Sequence, residues 1–250
     1  MPSPARLFFP LRVCGVAPEA GASVLTFEVP QRLRSAFRYQ SGQYLTLRAS
    51  VGGEQLERQY AICSAPHEAP LQVAIKHGQG AMAAWIQHRL APGSELPVAP
   101  PAGAFTVAAE PARRRHYLGV CIGSGVTALY SLLKHLLHSE PRSRFTLLIG
   151  EQDHASTLFL PALAELRRRL GERLRCVLVF SCARPGAPAG LPLYHGRLDQ
   201  DTLARICARE VDLDSVDLAL VVGSPAMMDE LSGLLQRAGL PRQRIRTAGD

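Results

Sequence analysis

Four short stretches of this 250-residue sequence combine residue types that suit an anionic, ring-bearing ligand. Gly123-Ser124-Gly125-Val126-Thr127 lies between an apolar run and a helical pattern. Glycines at a strand–helix junction let the backbone approach a phosphate, and the helix N-terminus that follows favours negative charge. Gly223-Ser224-Pro225-Ala226-Met227-Met228 repeats the arrangement after a later apolar strand, where a plain Ser–Pro helix start explains it equally well. Arg58-Gln59-Tyr60-Ala61-Ile62-Cys63-Ser64 offers a planar guanidinium fork for a diphosphate. Two residues on, on the same strand face, Tyr60 offers a flat ring and a hydroxyl. Lys76-His77-Gly78-Gln79-Gly80-Ala81-Met82-Ala83-Ala84-Trp85 opens another helix through glycines, with two basic side chains beside it. Taken singly, each stretch also reads as an ordinary turn, strand or helix start.

Two kinds of element must position them. The first half reads as short strands over Leu7–Val16, Ser23–Val29, Tyr44–Ala49, Gln55–Cys63 and Leu71–Ile75, with one helix over Ala81–Leu90. Several antiparallel strands and one helix imply a small closed β-barrel. The second half alternates strands at Tyr117–Ile122, Phe145–Gly150, Arg175–Ser181 and Val216–Gly223 with helices at Thr127–His138, Thr157–Leu170, Gln200–Arg209 and Pro225–Ala238. That alternation implies an open α/β domain with a parallel sheet. The Pro/Gly-rich stretch from Pro97 reads as a connection, and the Arg184–Pro192 stretch as a long loop. The expected domains are residues 1–108 and 109–250.

Composition narrows the classes. Hydrophobic residues at 47% and charged residues at 20% suit a packed core. No apolar run approaches the ~20 residues of a membrane span. Met1–Phe9 lacks a signal-peptide core, so the expected location is the cytoplasm. The six cysteines form neither a C-x-x-C pair nor a C-x4-C-x2-C run, so no metal site or iron–sulfur cluster is expected. The net charge of +7 comes from arginine, with Lys76 and Lys134 the only lysines. Arg113–Arg115 falls in the linker-like stretch, and a solvated helix face accounts for Arg167–Arg169. No basic stretch is interleaved with aromatics, so neither nucleic acid nor a membrane is an expected partner.

In order and spacing, these stretches resemble the ferredoxin–NADP⁺ reductase family, and within it the reductase subunits of phenylacetyl-CoA oxygenase systems. The resemblance spans about residues 7–247. It is carried also by Ser41-Gly42-Gln43-Tyr44-Leu45, Gly103-Ala104-Phe105 and His195-Gly196-Arg197-Leu198-Asp199. It implies a flavin-binding antiparallel barrel followed by a nucleotide-binding α/β domain. It implies NAD(P)H oxidation through FAD, with electrons leaving to an iron–sulfur partner of the ferredoxin or oxygenase type. The implied FAD contacts are Arg58, Gln59, Tyr60, Ala61, Ile75, Lys76, His77, Gly80, Ala81, Met82 and Ala83. The implied NAD(P) contacts are Gly123, Ser124, Gly125, Thr127, Ser181, Arg184, Gly223, Ser224 and Met227. No catalytic side chain and no metal ligand is implied.

The sequence departs from the family pattern at several points. The serine of R-x-Y-S is Ala61, that of the diphosphate turn is Ala83, and the proline after G-x-G-x-T is Ala128. The cysteine and proline of the C-G-P motif are Val222 and Ser224, and no aromatic stands near the C-terminus. Each lost hydrogen bond is worth ~1–3 kcal/mol. A flavin-binding subunit with weak or no hydride transfer is therefore the alternative to an active reductase. NADPH and NADH both remain open, with a slight lean to NADPH from Arg184, as the candidate partner of a 2′-phosphate, and from the excess positive charge. The family's C-terminal ferredoxin domain has no counterpart among these residues.

Overall fold

The computed structural model describes residues 7–182 and 190–249. The chain forms two compact units, Met1–Val107 and Ala108–Asp250.

The first unit contains β1 (Phe9–Glu19), β2 (Ala22–Glu28), β3 (Tyr44–Val51), β4 (Glu54–Ala61), β5 (Leu71–Lys76), α1 (Ala81–Arg89) and β6 (Glu95–Val98). All pairings are antiparallel, in the order β4-β3-β6-β1-β2-β5. The two end strands meet through the Ile62–Val73 bridge and a bond from the Cys63 N–H to the Gln72 carbonyl at 2.9 Å. That contact covers the exposed sheet edges and makes a barrel. Gly52 and Gly53, at φ +62 and +87, form the two-residue β3–β4 turn, whose backbone twist other residues adopt poorly. Leu11, Val13, Leu25, Phe27, Leu45, Leu47, Ile62 and Val73 form the core, and α1 closes it with Met82, Ala83 and Ile86.

Proline and glycine content misleads at residues 97–103. Pro97 and Val98 belong to β6, the Ala99 N–H bonds the Thr46 carbonyl, and Ala102 bridges Tyr44. The stretch belongs to the barrel wall, between β1 and β3, rather than to a connection. The Ser41–Leu45 and Gly103–Phe105 stretches meet here. Gln43 Nε2 donates to the Gly103 carbonyl at 3.2 Å, and the Gln43 carbonyl accepts the Ile62 N–H. A Cβ on Gly103 would lie 3.0 Å from the Tyr44 ring.

The second unit contains β7 (His116–Ile122), α2 (Val126–Ser139), β8 (Arg144–Glu151), α3 (Leu160–Leu170), β9 (Leu174–Phe180), β10 (Leu193–His195), α4 (Gln200–Arg209), β11 (Leu218–Val222), α5 (Pro225–Arg237) and β12 (Ile245–Thr247). The sheet is parallel, in the order β10-β9-β8-β7-β11-β12. Helices cover both faces, so β8 and β9 are buried along nearly their whole length. The strand order reverses between β7 and β11, the point where such sheets open a crevice at their C-terminal ends.

Two differences from the sequence reading have local causes. The helix expected from Thr157 begins at Leu160. Asp153 caps a 3₁₀ turn at His154–Ser156, and Phe159 adopts φ +60 ahead of Pro161. The three-residue strands β10 and β12 are too short to show a period of two. The His195–Asp199 stretch is structural here. The Gly196 N–H bonds the Phe180 carbonyl, Leu198 joins the core, and Asp199 caps α4 through the Thr202 N–H at 2.9 Å.

Candidate functional site

In the α/β unit, the sequence-selected residues gather at the C-terminal edge of the sheet. Gly123, at φ +64, follows β7 and starts a single 3₁₀ turn over Gly123–Gly125 leading directly into α2. A Cβ on Gly125 would lie 2.7 Å from the Val222 carbonyl oxygen and 3.2 Å from Cys121 Cβ. Only glycine lets the turn close onto the end of β11. Gly223 and Ser224 follow β11. Ser224 stands at the N-cap of α5 with Pro225 behind it, yet its hydroxyl makes no capping bond. Met227, in the first turn, is 39% exposed. Ser181 follows β9, and its N–H bonds the Glu151 carbonyl at 3.0 Å. Arg184 lies outside the described residues.

This edge carries unmet donors. Neither α2 nor α5 has a side-chain cap, whereas Asp199 caps α4. The first N–H groups of an uncapped helix point at solvent or at a ligand. The Thr127 hydroxyl, in the first turn of α2, is buried with no hydrogen-bond partner. Backbone donors, a partial positive charge and an unpaired hydroxyl fit the diphosphate of a dinucleotide. Beneath the turn, burial and then the Glu151 carboxylate push the Cys121 thiol well above its ordinary range, which keeps it a neutral packing group.

Glu151 escaped the sequence reading. It ends β8 with 9% exposure, and its Oε1 lies 4.0 Å from where a Cβ on Gly123 would stand. Its Oε2 accepts the Gln152 N–H at 3.3 Å. The available signal was an acidic residue directly after the apolar strand that follows the glycine turn.

In the barrel, Arg58 and Tyr60 share one face of β4, and Gln59 and Ala61 lie on the other. Arg58 is exposed, and Nη1 donates to the Glu57 carbonyl at 2.8 Å. The Glu57 carboxylate pairs with Arg48 instead, and among the described residues no carboxylate pairs with Arg58. Tyr60 is half-buried against the core, and burial raises its phenol while Arg58 opposes the rise. Gly80, at φ +88, is the N-cap of α1, with nothing within 4 Å of a built Cβ. The N–H groups of Ala81, Met82 and Ala83 precede the first backbone bond of the helix, which runs from the Ala84 N–H to the Gly80 carbonyl at 3.1 Å. Exposed guanidinium, ring and free N–H groups fit the diphosphate and ring of a flavin nucleotide.

Some candidates act otherwise than expected. Ile75, Met82 and Ala83 lie in the barrel core, so they offer a ligand no side-chain contact. His77 shares a 2.9 Å hydrogen bond with Ser23 and donates its N–H to the Gly21 carbonyl, which fixes the end of β5 to the β1–β2 turn. Lys76 ends β5 opposite Ala22.

Residues 20–107 match the model of the oxidoreductase FAD-binding domain, and residues 120–232 that of the oxidoreductase NAD-binding domain. The chain is 34% identical over 240 residues to a 1,2-phenylacetyl-CoA epoxidase component of Escherichia coli K12, covering 95% of this chain and 66% of that protein. It is 31% identical over 240 residues to the ferredoxin reductase component of 3-ketosteroid-9-alpha-monooxygenase from Rhodococcus rhodochrous, covering 94% and 63%. The chain thus spans a little under two thirds of the length of each. Among solved structures, the flavohem-like FAD/NAD-binding domain of a Vibrio cholerae nitric oxide dioxygenase superposes with a TM-score of 0.77 at 18% identity, covering 95% and 96%. A Neisseria gonorrhoeae ferredoxin NADP⁺ reductase, solved with bound FAD and NADP, gives 0.74 at 18% identity, covering 96% and 97%.

Proposed function

Since this chain belongs to the ferredoxin reductase family, with an FAD-binding domain followed by an NAD-binding domain, we propose that it oxidises NAD(P)H and delivers the electrons to an iron–sulfur protein. The observation that carries this reading is 34% identity across 95% of the chain, with both domain types in order. Bound FAD would accept a hydride from NAD(P)H and release electrons one at a time. The named relatives serve oxygenases, so an aromatic-acid oxygenase system in the cytoplasm is the proposed setting.

The chain's own groups have separable tasks. Arg58 and the N–H groups of Ala81–Ala83 would hold the flavin diphosphate, and the Tyr60 ring would lie against the flavin. The α2 N-terminus and the Thr127 hydroxyl would hold the dinucleotide phosphates, and the Gly223–Met227 turn would flank the nicotinamide. These elements bind and orient by hydrogen bonding and fixed dipoles. No titrating side chain is required.

Ala61 and Val222 favour a second reading. Each replaces a polar family side chain, so the chain could hold flavin and transfer hydride poorly. An anaerobic absorbance spectrum, before and after adding NADPH and then NADH, separates the two. Flavin bands that bleach establish a reductase. Bands that persist select the slow or inactive subunit. No flavin after incubation with FAD overturns the proposal.

A further inference from the structure

The opposite edge of the parallel sheet, where its strands begin, holds a concave site that dinucleotide binding does not use. β7 and β8 start side by side there, with His116 opposite Arg144 in register. The turns that precede β8, β9 and β11 bring Arg142, Arg173 and Ser215 to the same place. With Arg114 and Arg115 they enclose a cavity of about 360 Å³. Its walls carry five guanidinium groups against two carboxylates, Glu172 and Asp217.

The protein occupies two of the five guanidinium groups. Arg173 donates to the Leu137, Glu140 and Ser143 carbonyls, and Arg115 to the Glu110 carboxylate and the Tyr117 hydroxyl. Arg114, Arg142 and Arg144 are exposed, and among the described residues no carboxylate pairs with them. Asp217 accepts the His116 N–H at 2.7 Å, and Glu172 forms no ion pair with any of the three. Arg144 is nevertheless held in place. Its Nη2 donates to the Ser215 hydroxyl at 2.9 Å, and that hydroxyl donates to the Asp212 carbonyl at 2.6 Å. The Nε and Nη1 donors of Arg144 stay free for a ligand. Guanidinium forks pair with phosphate oxygens in a bidentate manner. Among the described residues, no Phe, Tyr or Trp lines the cavity, so nothing there stacks on a base or a flavin. The volume equals that of roughly ten waters, which suits a compact anion larger than one phosphate.

We propose that this cavity is a second anion site, which takes a compact, ring-free diphosphate through Arg114, Arg142 and Arg144. The site is independent of the reductase reading.

The test is isothermal titration calorimetry of the FAD-incubated protein with pyrophosphate at low salt, where charge pairing is least screened. The parent should bind, and Arg144→Gln should weaken binding at least ~10-fold, as the loss of a hydrogen bond between charged groups does. Arg142→Gln, at an exposed side chain without an internal bond, should melt as the parent does and weaken binding at least ~3-fold. Thr127→Val reports binding at the dinucleotide edge, and Arg169→Gln, an exposed arginine outside the cavity, reports net charge alone. Both should leave the affinity unchanged. No binding by the parent, full affinity in a folded cavity variant, or an equal loss in Thr127→Val or Arg169→Gln overturns the proposal. Tighter binding of a poly-glutamate peptide than of pyrophosphate overturns the assignment to a phosphate.

Discussion

The two edges of the parallel sheet are built from the same strands and helices and treat charge in opposite ways. At the C-terminal edge, α2 and α5 begin without side-chain caps, and Thr127 keeps an unpaired hydroxyl. At the N-terminal edge, the helix ends are answered within the protein. Arg173 donates to the Leu137, Glu140 and Ser143 carbonyls, closing the end of α2. Glu140, fully buried, accepts from the Tyr117 hydroxyl, the Ser143 hydroxyl and the Glu110 N–H. His116 shares hydrogen bonds with Ser215 and Thr146. Helix dipoles place negative ends at this edge, so Arg173 belongs there for a structural reason. The helix ends of one edge are finished by the protein itself, and those of the other are left for a ligand to finish.

That contrast breaks first at Glu140. Glu140→Ala strands a buried hydroxyl pair and an N–H and should cost about 3–5 kcal/mol. Urea denaturation reads the loss, and calorimetry on the folded fraction should show dinucleotide affinity unchanged. Gly125→Val reverses the pattern of readouts. Its side chain meets the Val222 carbonyl, so it should cost about 2–3 kcal/mol and weaken dinucleotide binding at least ~10-fold. Equal ligand affinity in the two variants would dissolve the contrast.

His116 tests the finished edge by pH. Burial, then the Arg144 charge, hold its folded pKa at about 4 against an ordinary 6.5. The unfolded chain therefore binds the proton first. The stability this group contributes is complete above about pH 6.5 and is lost as pH falls toward about 4. Urea midpoints at about pH 7.5 and about pH 5 should differ by an amount that includes about 2 kcal/mol from this residue. His116→Gln should remove that share. The smallest effect belongs to Thr127→Val, which deletes a buried hydroxyl with no partner. The fold should keep or gain up to ~1 kcal/mol while dinucleotide affinity falls several-fold. A stability loss instead would mean that the protein already satisfies that hydroxyl.

The sequence displayed these features unequally. Apolar runs alternating with helical patterns located β7, β8, β9, β11 and their helices, because a buried parallel strand leaves a continuous apolar run and an amphipathic helix a period of 3.6. Glycines marked the first turn, because Gly123 takes φ +64 and Gly125 sits against the Val222 carbonyl. Glu151 left no such mark, since one acidic residue after a strand looks the same whether it faces a ligand or solvent. Pro97 and Pro100–Pro101 read as a linker because local composition cannot report the Thr46 and Tyr44 partners that hold Ala99 and Ala102 in the barrel. Arg115 read as linker charge, yet it pairs with Glu110 and donates to the Tyr117 hydroxyl beside Glu140.

The position of β7 also sets an order of manufacture. It is the first strand of its sheet to leave the ribosome, yet one of its two neighbours, β11, is paired through Tyr117–Leu218 and arrives a hundred residues later. Until then β7, β8 and β9 offer an apolar, unpaired edge along β7. Chains stalled or cut before Leu218 should therefore collect in aggregates or on chaperones, even though their glycine turn and most of their helices have already been made.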